Sequence, residues 1–446
     1  MIDAGLGLRF RWANSIGCAC FTLAFLTATH VGASPFELYG VGAKGAALAG
    51  AMSAQRADYA ATHYNPAGLT GADGPQVGFG VDLIAPNFSI TGSGTNERAS
   101  FTKHLPESIT NFHVGALFPL GARIGNRFAV GVLMSTPLKG MTRVEIFDRS
   151  EPHLYRFDSQ PESLAFGVGL AMRVFDWLSA GIGVHSVASL SGGSVIEVDL
   201  ATRRFVRDEL ESQIAPSKAF VAGLNFHPAP SFAASLSYRQ ELALTYDLSV
   251  RALISEVGYF DTAVLGESLY QPERLTFGTS WAFMSAGRLM VDLVWERWSQ
   301  APDPGGIFLG ELDGRGLDLG SAAFADNQLE LSASDTLTPR IGAEWSLGPA
   351  WLLRAGYAFL PTPLPVQSET QNFADSDVHQ IGLGASWTFA NPWASGQGPL
   401  AIEMSGQLGV LEKRGMIKRD EANPVGSYDI DGQTWYLGLT LRQDVR

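Results

Sequence analysis

Three arginines lie on the polar face of segments in which polar and apolar residues alternate. They are Arg239, Arg340 and Arg354. A guanidinium group stays charged and can pair with a carboxylate through two parallel hydrogen bonds. Acidic residues lie on the same face nearby, namely Glu241, Asp292, Glu296 and Glu344. Two interpretations follow: the arginines bind the carboxylate of a ligand, or they form salt-bridge networks within the protein.

Residues suited to catalysis or metal binding show no pattern of this kind. His113 and His185 fall on the polar parity, as do many serines, but no nucleophile, base and orienting group share a recognisable spacing. No group of histidines and carboxylates has the spacing of metal ligands, and no glycine-rich loop between a strand and a helix could hold phosphate. We therefore predict no enzyme activity, no metal site and no cofactor.

The first residues have the order of a secretory signal peptide. Arg9 and Arg11 precede an apolar run over 16–26, and small residues then lead to Ala33. Such segments are removed on export, so we predict that residues 1–33 are a signal peptide. Both cysteines, Cys18 and Cys20, lie inside it. The mature chain is then free of cysteine and can build neither a disulfide framework nor a thiolate metal site.

The composition of the remaining chain indicates a membrane protein without spanning helices. No stretch after the signal approaches the roughly 18 uninterrupted apolar residues that a spanning helix needs, although aromatic residues make up 11% of the chain and charged residues only 17%. The net charge of −13 argues against nucleic acid as a partner. These features favour a barrel with one face in lipid.

The strongest pattern in the chain has a period of two. In one example Leu164, Phe166, Val168, Leu170 and Met172 alternate with glycine or alanine. Segments of about ten residues with this alternation are typical of barrel strands. Fourteen occur: Gln76–Ala85, Ile109–Pro119, Arg127–Thr136, Glu162–Phe175, Trp177–Ala188, Lys218–His227, Phe232–Leu244, Glu273–Phe283, Arg288–Ser299, Gln328–Leu347, Ala350–Leu360, Val378–Ala390, Pro399–Val410 and Gln433–Arg442.

The connections between these segments alternate in length. They are short after Pro119, Phe175, His227, Phe283, Leu347 and Ala390, and long after Ala85, Thr136, Ala188, Leu244, Ser299, Leu360 and Val410. A soluble β-sandwich has no reason for this regularity, whereas an up-and-down barrel with both termini on the periplasmic side requires it. Lipid offers no partner to backbone polar groups, so the sheet must close. We predict an all-β fold, a 14-stranded antiparallel transmembrane β-barrel over residues 76–446.

Tryptophans near the strand ends fit interfacial girdles of such a barrel. They are Trp177, Trp281, Trp295, Trp298, Trp345, Trp351, Trp387 and Trp435.

Residues 34–75, between the predicted signal and the first strand, do not alternate. A run of glycine and alanine over 40–51 is followed by Asn65-Pro66-Ala67. Small residues allow close backbone packing, so this segment fits inside a barrel lumen; the alternative is a periplasmic tail. Asn65 either contacts a ligand or caps a turn, and the proline stops pairing with the barrel.

Several features match one known family in their order along the chain. They are Phe36, the glycine and alanine run, Asn65-Pro66-Ala67, Pro272-Glu273, and Arg354-Ala355-Gly356 with Phe359 leading to Pro363 and Pro365. In these the sequence resembles the FadL/TodX family of outer-membrane transporters of long-chain fatty acids and hydrocarbons. The resemblance covers essentially the whole mature chain. One departure is the C-terminus, Asp444-Val445-Arg446, which lacks the terminal aromatic residue common in outer-membrane barrels.

The resemblance implies that residues 34–75 form a hatch, or plug, in the lumen, with Phe36 at an apolar ligand pocket and Asn65, Pro66 and Ala67 in the hatch. It also implies a kink in the third strand, carried over to Pro137 and Gly140, that opens a lateral gap to the membrane. The predicted protein is a monomer in the outer membrane of a Gram-negative cell, in contact with outer-membrane lipid.

These expectations describe a passive transporter of long-chain fatty acids or similar hydrophobic molecules. Ligand is captured at surface loops, moves to a lumen pocket and leaves sideways. A fatty acid needs an apolar pocket and at least one cation. The rivals are an aromatic-hydrocarbon channel of the same family, which needs no lumen cation, a structural or adhesion barrel without transport, and a general porin, which has no reason for a plug.

Overall fold

The computed structural model describes residues 36–93, 100–102, 105–120, 127–138, 151–157, 165–199, 204–254, 258–284, 286–302, 307–313, 321–325, 331–369, 371–392, 398–419 and 423–445. The predicted signal peptide and Gly140 lie outside these residues.

Short helices at the start of the described chain give way to strands. The helices are α1 (Phe36–Tyr39), α2 (Gly42–Ala47) and α3 (Ala61–Tyr64), with 3-10 helices at Pro66–Leu69 and Trp298–Gln300. The strands are β1 (Gln76–Gly92), β2 (Ile109–Leu120), β3 (Phe128–Pro137), β4 (His153–Leu154), β5 (Ala165–Phe175), β6 (Leu178–Asp199), β7 (Arg204–Ala229), β8 (Phe232–Arg239), β9 (Leu242–Ile254), β10 (Gly258–Gln271), β11 (Arg274–Phe283), β12 (Gly287–Glu296), β13 (Ile307–Asp313), β14 (Ser321–Ala325), β15 (Thr336–Ser346), β16 (Trp351–Leu360), β17 (Phe373–Ala374), β18 (Val378–Phe389), β19 (Leu400–Met416) and β20 (Tyr428–Asp444). Within the described ranges, no helix has the length and apolar character needed to span a membrane.

Fourteen strands close into an antiparallel ring, which confirms the predicted barrel. The order around the ring is β1, β2, β3, β5, β6, β7, β8, β11, β12, β15, β16, β18, β19 and β20. The ring closes because β20 pairs with β1 along the whole of Gln76–Gly92. Every strand of the ring thereby pairs with two neighbouring strands, so the ring has no unpaired sheet edge.

The long connections hold more structure than the sequence predicted. Where a loop was expected after Ala188, β6 continues to Asp199 and β7 begins already at Arg204. Strand β9 lies parallel to β6, from Leu190 paired with Tyr246 to Val198 paired with Ile254, and β10, β13 and β14 extend this sheet. The expected loops after Leu244 and Ser299 therefore contain strands, because long connections also have to satisfy their backbone hydrogen bonds.

A small parallel sheet covers the long-loop end of the barrel. Phe373 and Ala374 of β17 pair with His153 and Leu154 of β4. The Arg156 guanidinium reaches a carboxylate oxygen of Asp375 at 2.7 Å. Residues of both short strands pack in a buried cluster with the long-loop ends of β1 and β20. The outer opening of the lumen is therefore covered by the chain's own connections.

The outer face of the ring is apolar. Phe220 and Ile182 are 64% and 62% exposed, whereas their inward neighbours Ala219 and Gly181 are buried. Five exposed tryptophans lie at the short-turn end, as a girdle requires, and they are Trp177, Trp281, Trp345, Trp351 and Trp387. Trp435 is also exposed. The prediction is wrong for Trp298, which is buried and packs edge-on against Tyr155 and Tyr270.

Residues 36–75, the N-terminal segment, contact inward-facing residues on many sides of the ring. At Gly356 of β16 and Gly382 of β18, an added Cβ would overlap the backbone of Leu48 and the carbonyl oxygen of Ala46. Elsewhere on the ring, the side chain of Tyr59 leaves no room for a Cβ at Gly115 of β2. The segment therefore lies against the inner face of the ring, and the glycines on the inner parity give it space.

Candidate functional site

An acidic side chain of the barrel wall holds the middle of the N-terminal segment. Asp292 on β12 accepts hydrogen bonds from the backbone N–H of Met52 (3.0 Å) and Ser53 (2.9 Å) and from the Ser53 hydroxyl (2.8 Å). Asp292 is buried, and hydrogen bonds from N–H groups offset the cost of burying its carboxylate. This residue anchors the segment rather than pairing with an arginine.

Asn65 both caps a turn and ties the segment to the wall. Its side-chain oxygen accepts from the N–H of Ala67 (3.1 Å), while its amide donates to the carbonyl oxygens of Ser53 (3.0 Å) and Leu224 (3.1 Å). Pro66 opens a 3-10 helix, where a missing N–H costs nothing. This helix lies against β6 and β7, and β1 begins only at Gln76. The triplet thus holds the N-terminal segment against the inner face of β6 and β7.

Replacing Asn65 by aspartate tests whether the residue is more than a cap. Aspartate is as good a helix cap as asparagine, but it places a carboxylate oxygen against the carbonyls of Ser53 and Leu224. We expect N65D to lower the local stability of the segment by about 1–3 kcal/mol, and by more than N65A does. Hydrogen exchange of residues 53–70 would measure this. Equal hydrogen-exchange rates in N65D and the parent protein would show that Asn65 acts only as a helix cap.

Three cavities adjoin the N-terminal segment. The first, the Phe36 cavity, is also lined by Leu133, Phe166 and His185. The second, the Arg340 cavity, is lined in part by Tyr64 and Asp292. The third, the Trp298 cavity, is lined in part by Leu38, Tyr270, Trp298 and Leu360. Glu37 lines the first and third, and Arg274 and Arg340 line the second and third. The cavities therefore meet at a cluster of charged side chains.

The centre of this cluster is Glu37 of α1. Its carboxylate pairs with Arg239 on β8 and, at 2.7 Å, with Arg274 on β11. Arg274 also reaches Glu296 at 2.5 Å. Burial raises the pKa of Glu37, but the two guanidinium groups outweigh this and hold the pKa well below its usual value, so Glu37 is ionised. Arg239, a predicted carboxylate partner, is thus occupied by a carboxylate of the chain itself.

Arg340 differs from its neighbours in having no ion pair within the described part of the chain. Its single hydrogen bond runs from Nη1 to the carbonyl oxygen of Gly50 at 3.4 Å. Its Nε is buried without a partner. Since Arg340 lines two cavities, its guanidinium is the predicted lumen cation that is best placed to meet a ligand.

Arg354 lies in a closed network of the barrel wall. Its guanidinium reaches Glu344 on β15 at 2.9 Å and Glu403 on β19 at 3.1 Å. Arg442 adds a further contact to Glu403 at 3.5 Å. Of the two interpretations that the sequence left open for Arg354, this arrangement favours the salt-bridge network.

Both histidines considered for catalysis point inward. His113 lies between Asp82 (2.8 Å) and the hydroxyl of Thr440 (3.2 Å), an order that resembles a catalytic relay. The Thr440 hydroxyl, however, also accepts the N–H of Ala43, and all three side chains are buried beneath the segment. None of these three side chains lines the cavities described above. Among the described residues, no group of three or more histidines and carboxylates could hold a metal ion.

The end of β3 lies beside the Phe36 cavity. β3 pairs with β5 in unbroken register from Phe128 to Ser135, and with β2 as far as Pro137. Pro137 thus ends the strand, and Gly140 lies outside the described residues. Leu133 and Phe166, which line the cavity, are close to the last pair of the β3 and β5 ladder.

Sequence reasoning missed two central residues, Glu37 and Arg274. Arg274 could have been predicted from the sequence, because it begins an alternating segment. Thr276 and Ser280 lie on the same face of that strand, and both are buried. Glu37 carried no such signal, since a lone acid in a non-periodic segment is usually solvated.

Comparisons with known proteins agree with this architecture. The model of the family described as outer membrane protein transport protein (OMPP1/FadL/TodX) matches residues 24–395. Alkane uptake protein A of Marinobacter nauticus is 22% identical over 416 residues, which is 88% of this chain and 87% of that protein.

Among solved structures, a Pseudomonas aeruginosa FadL homologue superposes with a TM-score of 0.60 at 15% identity, over 91% of this chain and 98% of that one. The toluene transporter TbuX of Ralstonia pickettii has a TM-score of 0.55 at 16% identity, over 92% of this chain and 100% of that one. At these identities the likeness extends to the fold.

Proposed function

Because this chain belongs to the OMPP1/FadL/TodX family of outer-membrane transport proteins, we propose that it is a passive, monomeric channel for hydrophobic molecules, with long-chain fatty acids as the favoured substrate. The observation that carries this choice is Arg340, a half-buried lumen cation whose buried Nε has no partner and whose guanidinium forms no ion pair among the described residues. A fatty acid brings both an apolar chain for the cavities and a carboxylate for this guanidinium.

The charge distribution around Arg340 supports an acidic substrate. Arg239 and Arg274 are matched by Glu37 and Glu296. Arg340 lies opposite Asp292 on the β12 and β15 ladder, but Asp292 is hydrogen-bonded to Ser53 and forms no ion pair with Arg340 among the described residues. A guanidinium that is partly withdrawn from water has lost part of its hydration, so a carboxylate that binds there would add a charge-assisted hydrogen bond. A neutral ligand gains nothing from this group.

Residues 34–75 act in this proposal as the hatch that keeps the lumen closed to water, with residues 1–33 as the cleaved signal. The tight fit of the N-terminal segment against wall glycines supports the role of a plug. Asn65, Pro66 and Ala67 hold the hatch on β6 and β7, and Phe36 borders the cavity that receives the acyl chain.

The exit that we propose is lateral, between β3 and β5. The Phe36 cavity lies directly behind the last pairs of that ladder, and Pro137 cannot donate a further ladder hydrogen bond. Ligand would leave from there into outer-membrane lipid. Pro137 and Gly140 retain their proposed place at this gap.

A neutral hydrocarbon is the second candidate substrate. The Trp298 cavity presents Tyr270, Trp298 and Leu360, which need no charged ligand. The related protein of Marinobacter is named for alkane uptake, and the transporter of Ralstonia for toluene.

The variant Arg340→Gln separates these substrates. Hydrogen bonds to a charged group contribute about 1.5–3 kcal/mol, so we expect the affinity for a fatty acid to fall at least about tenfold. Binding of the alkane of equal chain length should not change, and R340K should restore part of the fatty-acid affinity. Calorimetry in detergent and uptake by cells that lack other transporters provide the measurements.

The matched control is Arg297→Gln, which removes an arginine from an exposed pair with Glu273. Its fatty-acid affinity should equal that of the parent protein. Unchanged fatty-acid binding in R340Q would instead support the hydrocarbon channel.

A further inference from the structure

Arg239 and Arg274 lie directly opposite each other on paired strands. They form one cross-strand pair of the β8 and β11 ladder, and both point into the lumen. Like charges in this position repel each other. The carboxylate of Glu37 lies between them, with one oxygen on each guanidinium. Together the two arginines form a clamp with the geometry of a carboxylate site.

The origin of the counter-charge distinguishes this clamp from the other buried arginine of the wall. At Arg354 the acids come from the wall itself, from Glu344 on β15 and Glu403 on β19. At Arg239 the one acidic partner within the described residues is Glu37, which belongs to a four-residue helix. Within the described residues, the acid at Arg239 therefore comes from the N-terminal segment and not from the barrel wall.

Glu37 is also placed where a ligand can reach it. It lines both the Phe36 cavity and the Trp298 cavity, so a molecule in either one lies beside the clamp. Gly40, directly after α1, has a φ of +92°, a conformation that gives the chain a turn at this point. Phe36 packs edge-on against His63, with ring centroids 5.7 Å apart. A shift of Glu37 would carry Phe36 with it.

We propose that the Arg239–Arg274 pair is a second carboxylate subsite, occupied by Glu37 at rest, and that the carboxylate of an incoming ligand exchanges with Glu37 and releases α1. This inference rests on the proposed uptake of fatty acids. Exchange of one carboxylate for another keeps the number of buried charges constant. A neutral ligand would leave the buried guanidinium of Arg239 without its one acidic partner among the described residues, so it does not release α1.

Hydrogen exchange of residues 36–41 in the full-length protein tests the proposal. The N–H of Gly40 bonds to the Phe36 carbonyl, and the N–H of Val41 to the Tyr64 hydroxyl. A saturating fatty acid should speed exchange of these amides about tenfold or more, whereas the fatty alcohol of equal length should leave it unchanged, because release follows differential affinity. Equal effects of acid and alcohol would overturn the proposal.

Glu37→Gln provides the second measurement. Without the internal competitor, exchange at 36–41 should be fast in the absence of ligand, and fatty-acid affinity should rise about tenfold, since a competing bound state lowers apparent affinity. Glu273→Gln is the control and should behave as the parent protein, because this half-buried acid follows Pro272 and precedes Arg274 in sequence but pairs with Arg297 and not with the clamp. An unchanged affinity in E37Q overturns the subsite.

The two proposals fail in different ways. If the fatty acid binds and depends on Arg340 but leaves exchange at 36–41 unchanged, the carboxylate exchange is wrong and the proposed function stands. If no fatty acid binds, both are wrong.

Discussion

Leucines at both Gly356 and Gly382 are expected to expel the N-terminal segment and turn the closed barrel into a water-filled pore. The two glycines are cross-strand partners on β16 and β18. Side chains there would overlap the backbone of Leu48 and the carbonyl of Ala46, and Gln407 holds that carbonyl in place at 3.0 Å. Overpacking costs about 1–3 kcal/mol per site even where side chains can yield; here a backbone would have to move.

Conductance across planar bilayers and liposome swelling in a small sugar measure this opening. The double variant should conduct at least about tenfold more than the parent, as an unplugged barrel of this size would hold water. Gly406→Leu is the matched control, because a Cβ there meets nothing closer than Leu437 at 3.7 Å. A folded double variant that stays as tight as the parent would show that the segment does not seal the lumen.

Arg354→Met is expected to cause the largest loss of stability among single substitutions in the wall. Methionine keeps the length of the side chain but leaves the carboxylates of Glu344 and Glu403 buried without their shared guanidinium. Breaking a buried pair in this way costs about 3–5 kcal/mol. Denaturant unfolding in detergent micelles, followed by tryptophan fluorescence, measures the change.

Two further variants identify the cause of that loss. R354M combined with E344Q should recover part of the stability, because one of the stranded carboxylates is then gone. Arg297→Met removes an exposed ion pair and should change stability by no more than about 1 kcal/mol. Equal losses in R354M and R297M would contradict the structural network at Arg354.

The barrel was predictable from sequence because alternation depends on local properties alone. Val168 and Leu170 are exposed while Gly169 between them is buried, since a strand turns successive side chains to opposite faces. The closure of the sheet could be predicted because lipid cannot form hydrogen bonds with the backbone of an unpaired edge strand. The extensions of β6 and β7 escaped prediction because strand pairing outside the membrane imposes no lipid-facing apolar parity.

Pairing within the candidate site depends on contacts that no local pattern records. The alternation of residues predicted that Arg239, Arg340 and Arg354 face the lumen. It could not predict which acidic side chain pairs with each of them. Glu37 reaches Arg239 across 202 positions of sequence. Which arginine is left without a carboxylate therefore depends on how the N-terminal segment is seated, and this is a property of the whole fold.

The seam between β1 and β20 sets a constraint on the order of folding. The N–H of Ala43 bonds to the hydroxyl of Thr440 across 397 positions, so the first part of the described chain is fixed by the last strand. Contacts of such long range form slowly. The N-terminal segment therefore precedes every strand of the ring along the chain and yet depends on the last strand for its final position.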